Sequence, residues 1–121
     1  HPCYKVYPGI LSCDALVMVC PNYNDALGGN LTAFVNRMTA LFTTHRFYDK
    51  QLFGVVISGY SGSDIVAEQL ISGLNMNKTF ALPGRFAILE TANAPQEILH
   101  SEGIEQRAEN FAYNMKRNLI R

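Results

Sequence analysis

Three short, continuous apolar runs limit what this chain can fold into. They are Ala15-Leu16-Val17-Met18-Val19-Cys20, Leu52-Phe53-Gly54-Val55-Val56-Ile57 and the weaker Phe86-Ala87-Ile88-Leu89. None alternates with polar residues, so each reads as a strand whose two faces are both covered, as in a parallel sheet flanked by helices. Turn-forming residues follow each run: Pro21-Asn22, Ser58-Gly59 and Thr91-Ala92-Asn93.

Helical patterns fill the intervals. Leu31, Phe34, Val35, Met38, Leu41 and Phe42 recur at helical spacing after the first run, with Asn30 or Gly29 as the start. Ile65, Ala67, Leu70, Ile71 and Leu74 form a second stripe, which Ser61 or Ser63 can cap and whose dipole Asp64 complements. Ile104, Ala108, Phe111, Ala112, Met115 and Leu119 line a third helix, with Glu102 and Glu105 at its start and Lys116, Arg117 and Arg121 at its end. A short helix over 6–12 is compatible with the sequence despite Pro8 and Gly9. Strand–helix alternation of this kind predicts right-handed crossovers around a parallel sheet, hence one α/β domain over residues 1–121.

Composition narrows the function classes. Ten basic residues balance ten acidic ones, so the chain lacks the basic field that nucleic acids and anionic membranes require. Hydrophobic residues make up 48% of the chain, which excludes disorder, and no apolar run approaches a membrane span. Cys3, Cys13 and Cys20 are an odd set without C-x-x-C spacing; with no secretory signal they read as reduced thiols in a cytoplasmic protein, and no metal site is visible.

Ligands of open parallel sheets bind beyond the carboxyl ends of the strands. There the sequence carries Pro21-Asn22-Tyr23-Asn24-Asp25-Ala26-Leu27-Gly28-Gly29 and Ser58-Gly59-Tyr60-Ser61-Gly62-Ser63. Both segments are rich in small residues and backbone donors, and each has a tyrosine able to cover a ring. Either loop alone reads equally as a tight turn; together on neighbouring strands they mark a candidate ligand site.

Pro21-Asn22-Tyr23-Asn24, followed by Gly29, Leu31, Phe34 and Arg37, resembles the NADPH-dependent FMN reductase and flavodoxin-like quinone reductase families. Cys13-Asp14-Ala15 matches the A-D-A pattern ahead of the strand, and Ser58-Gly59-Tyr60-Ser61-Gly62 is similar to the second glycine-rich flavin loop. Thr32 and Asn36 depart from the lysine and aspartate usual there, positions that serve helix surface and subunit contacts. The resemblance implies a flavodoxin-like parallel sheet with helices on both faces, of which this chain supplies strands three to five in the order 2-1-3-4-5. It further implies non-covalent FMN, with Pro21, Asn22, Tyr23 and Asn24 along the ring and ribityl chain. Ser58, Gly59, Tyr60, Ser61 and Gly62 would offer backbone amides to the pyrimidine edge. NAD(P)H would be the electron donor and a flavin, quinone or similar small molecule the acceptor, with no catalytic acid or base from the protein. Arg37 and Arg85 are cations that could meet a phosphate of the donor, although plain surface exposure explains them as well.

The family's phosphate loop, which follows its first strand, has no counterpart here, and the chain opens at His1 without an initiator Met. By the resemblance the domain is incomplete at its amino end. The strand at 15–20 is then an apolar edge that an upstream segment, or another copy in a homo-oligomer, is expected to cover. Two rival functions remain. Gly59-Tyr60-Ser61-Gly62-Ser63 sits where a hydrolase nucleophile elbow would lie, with His100 as base, although Ser63 replaces the last glycine, no orienting acid is visible, and His100 and His45 read more readily as solvated surface. A cofactor-free α/β binding or structural subunit is the other.

Overall fold

The computed structural model describes residues 2–22 and 26–119. After a 3-10 turn at Pro2–Lys5 the elements run α1 (Tyr7–Ser12), β1 (Ala15–Pro21), α2 (Gly29–Arg37), α3 (Thr39–Phe42), β2 (Gln51–Ser58), α4 (Ser63–Leu70), β3 (Ala87–Thr91) and α5 (Ile104–Leu119). A π-helical stretch, Ile71–Met76, prolongs α4, and a second 3-10 turn, Glu97–His100, precedes α5. The three strands form one parallel sheet in the order β1-β2-β3. Register runs from Ala15 opposite Gln51 to Pro21 opposite Ile57, and from Gly54 opposite Ala87 to Ser58 opposite Thr91. The fold is the flavodoxin-like α/β arrangement.

The strands occupy the three apolar runs, each shifted or extended by a residue or two. Met18, Cys20, Leu52 and Val56 point to one face and join Ile10, Val35, Met38, Leu41, Val66, Leu70 and Leu74 in the core. Helices α1 to α4 therefore cover that face. Two phenylalanines outside the regular elements, Phe47 and Phe80, complete it as a stacked pair with ring centroids 4.7 Å apart. Lys50 is also buried; its ammonium donates to the carbonyls of Leu11 (2.9 Å) and Cys13 (3.0 Å), satisfying acceptors that the end of α1 leaves open.

The other face carries Phe53 and Val55 with their β1 neighbours Val17 and Val19. Helix α5 covers it on the β3 side, where Phe111 meets Phe53 edge-on at 6.1 Å. Over β1 the described elements leave it bare, with Val17 41% and Val19 63% exposed. Among the described residues nothing pairs with the outer edge of β1.

Three local expectations are corrected. The single helix expected over 31–42 is two, α2 and α3, hinged at Met38, whose N–H is shared between the carbonyls of Phe34 and Val35 at 3.2 Å. Neither Ser61 nor Ser63 caps α4: the cap residue is Gly62, at φ 96°, a left-handed conformation that glycine adopts without strain. The Ser63 hydroxyl instead bonds to that of Ser58. In α5, Ala108 and Ala112 are exposed and no residue is fully buried. Its anchor is polar: Arg107 grips the buried Glu90 of β3 through two hydrogen bonds of 2.6 and 2.7 Å. That carboxylate raises the Arg107 pKa above its ordinary value, chiefly by accepting those bonds.

Candidate functional site

The carboxyl ends of the strands open into a cleft of about 470 Å³, lined by Val19, Cys20, Pro21, Asn22, Ile57, Gly59, Ala92 and Asn93. Of the residues expected there, Pro21, Asn22 and Gly59 form its wall. Tyr23 and Asn24 lie outside the described residues. Ser58 is buried beneath the cleft with its hydroxyl committed to Ser63, so it supports the loop rather than facing the opening. Tyr60, Ser61 and Gly62 form the turn between β2 and α4 and do not line the cleft. The Tyr60 ring projects into solvent, 86% exposed.

Two strand-end bonds fix the frame. Asn22 N–H donates to the Ile57 carbonyl and Ala92 N–H to the Ser58 carbonyl, both at 2.9 Å, carrying the ladders one step past the strands. Asn22 then reaches across: its Nδ2 donates to the Ser61 carbonyl at 2.9 Å and ties the β1 loop to the β2 turn. This bond also fixes the amide orientation, because a carbonyl accepts only from the nitrogen end. Asn22 Oδ1 is thus left shielded from solvent without a partner. A shielded carbonyl oxygen without a donor is costly, and this one belongs to a residue that lines the cleft. The backbone N–H groups of Tyr60, Ser61 and Gly62 also make no hydrogen bond among the described residues.

The third wall comes from the β3 loop, which the sequence marks as a turn but not as part of a site. Asn93 Nδ2 donates to the Gly59 carbonyl at 3.1 Å, and Thr91 Oγ1 donates to that of Tyr60 at 3.4 Å. A Cβ on Gly59 would lie 2.1 Å from Asn93 Oδ1, so it is close approach of the carboxamide, not an unusual φ, that favours glycine here. Val19, Cys20 and Ile57, read from the sequence only as strand residues, also line the cleft, and Cys20 is the one that titrates. Burial pushes the Cys20 thiol pKa up from an ordinary 9.0 to about 11, leaving it a protonated, apolar wall at neutral pH.

Two sets of residues fall away from the cleft. Arg37 ends α2, and α2 runs back from the carboxyl end of β1; the Tyr7 hydroxyl of α1 donates to the Arg37 carbonyl at 2.9 Å. Arg85 precedes β3. Both therefore sit toward the amino end of the sheet, away from any ligand in the cleft. His45, expected as solvated surface, likewise lies in the segment leading to β2, exposed and bonded to Thr44 Oγ1 at 2.8 Å.

Sheet order, helix placement and a strand-end cleft define a flavodoxin-like α/β protein. The sequence profile of the NADPH-dependent FMN reductases matches residues 2–94, and the chain belongs to that family. Solved structures share the fold. The Trp repressor binding protein from Bacillus subtilis superposes with a TM-score of 0.74 at 19% identity, over 90% of this chain and 69% of its own. RosB, solved with 8-demethyl-8-formylriboflavin-5'-phosphate, gives 0.73 at 11% identity, covering 95% of this chain and 52% of RosB. Rubredoxin oxygen:oxidoreductase from Desulfovibrio gigas gives 0.62 at 16% identity, covering 88% and 23%. No curated protein sequence matches the chain. No helix among the described residues is long and apolar enough to cross a membrane.

Proposed function

We propose that this chain is an FMN-dependent oxidoreductase subunit that passes electrons from NAD(P)H to a flavin, quinone or similar small acceptor. The observation that carries this reading is the pairing of unused polar groups on the cleft wall and on the β2 turn beside it. Asn22 Oδ1 is an acceptor without a donor, and among the described residues the N–H groups of Tyr60, Ser61 and Gly62 have no acceptor. Asn22 links the two sets by its bond to the Ser61 carbonyl. The pyrimidine edge of a flavin offers one N–H donor flanked by carbonyl acceptors, which matches that set. Val19, Pro21, Ile57 and Ala92 supply apolar surface for the ring.

When bound, the flavin supplies the hydride chemistry. The protein's part is to seat the ring, exclude water from one side and present N–H donors where negative charge accumulates on reduction. The turn that holds those donors leads into the amino end of α4, whose dipole acts in the same sense. Among the described residues the cleft wall contains no Lys or Arg, so these residues account for the ring end of FMN and not for its phosphate.

The test is steady-state oxidation of NADH and of NADPH by purified protein supplied with FMN and a quinone. FMN-dependent turnover with either nucleotide supports the reading. FMN that binds without turnover would reduce it to a flavin-binding subunit.

A further inference from the structure

We infer that Asn93, held by the carboxylate of Glu97, is a positioning device that sets the β2 turn of the cleft. This deepens the flavin reading and rests on it for the ligand, although the device itself exists in the protein alone. The β3 loop is held at one end by the ladder bond from Ala92 N–H to the Ser58 carbonyl. Beyond it the chain turns sharply, with Gln96 at φ 65°. That turn brings Glu97 back under the loop, where one oxygen, Oε2, accepts from the N–H groups of both Asn93 (2.5 Å) and Ala94 (2.8 Å). Those two bonds, from Ala94 first and Asn93 second, hold the Glu97 carboxyl below its ordinary pKa, so it is ionised at neutral pH.

The consequence reaches 34 residues back along the chain. With its own N–H pinned, Asn93 directs its carboxamide onto Gly59, donating to the carbonyl while Oδ1 occupies the space a side chain at 59 would fill. Gly59 is the first residue after β2 and leads directly into the three unused N–H groups of Tyr60, Ser61 and Gly62. Asn22 fixes the same turn from the β1 side through the Ser61 carbonyl. The turn is therefore clamped from both neighbouring strands, by one carboxamide on each side. Glu97 touches no ligand; it acts through Asn93.

Backbone amide chemical shifts of the apo protein, with FMN titration beside them, separate the possibilities. Glu97→Ala should move the amide resonances of residues 59–62 as well as those of 93–97, and Asn93→Ala should move those of 59–62. Glu97→Gln keeps an oxygen acceptor for both N–H groups and should leave the 59–62 resonances near their wild-type positions. Where FMN binds, Glu97→Ala should weaken it roughly threefold to tenfold, the scale of losing exposed charge-assisted hydrogen bonds, and shift the bound-flavin absorption band. Shifts confined to 93–97 in Glu97→Ala would overturn the inference. If residues 59–62 respond and the wild-type protein does not bind FMN, the positioning device stands and the flavin reading fails.

Discussion

Replacing Gly59 by alanine tests the close approach of the β2 and β3 loops quantitatively. The added Cβ would lie 2.1 Å from Asn93 Oδ1 and 3.2 Å from its Cγ, so the carboxamide has to rotate away. Because it is the end of a flexible side chain, the cost is the lost bond to the Gly59 carbonyl, about 1 kcal/mol, rather than a backbone distortion. Working against this is the unfolded chain: Gly59 does not use a left-handed φ, so alanine there removes unfolded-state freedom worth about 0.5 kcal/mol. In the wild-type background Gly59→Ala should therefore destabilise by about 0.5 kcal/mol. In an Asn93→Ala background the clash is gone, and the same change should stabilise by about 0.5 kcal/mol. The sign reversal corresponds to a coupling of about 1 kcal/mol between residues 34 apart in sequence. Urea unfolding of the four proteins, with equal m-values, reads it directly. Equal effects of Gly59→Ala in both backgrounds would refute the contact.

Three further outcomes follow from other parts of the structure. Phe53→Ala removes a fully buried ring wedged between the sheet and Phe111, and should cost about 3–5 kcal/mol in urea unfolding. The Cys20 thiol keeps its proton in the folded state to about pH 11, whereas the unfolded chain releases it near 9.0. Its contribution to stability is thus full below pH 9.0 and lost as the pH rises toward 11, and a thiol reagent at pH 8 should label Cys20 only on unfolding. Ser61→Ala should leave FMN affinity within about twofold, because the turn would bind through backbone N–H groups, and no esterase activity should depend on that hydroxyl.

The sheet was legible because burial on two faces leaves a continuous apolar run, and β1 and β2 fall on those runs almost residue for residue. The third strand begins one residue late and ends at Thr91, because Glu90 is stabilised inside the sheet by Arg107, a partner 17 residues away. Phe47 and Phe80 carry no periodicity at all, since they reach the core from irregular segments. The same distinction governs the site. Pro21, Asn22 and Gly59 could be named because they follow apolar strands in small-residue loops. Asn93 could not, because its role depends on a bond to a glycine carbonyl 34 residues earlier. Arg37 and Arg85 show the converse: both are cations of a suitable type, placed by helix direction and strand start at the wrong end of the sheet.

Titration of FMN with the purified protein, followed by flavin fluorescence and absorption, tests the central claim most directly. Saturable quenching is expected, with a shifted flavin absorption band and weaker binding in Asn22→Ala, which removes the unpartnered Oδ1 and the bond to the Ser61 carbonyl from the cleft wall. FMN fluorescence unchanged by excess folded protein would contradict the assignment of this cleft to a flavin ring.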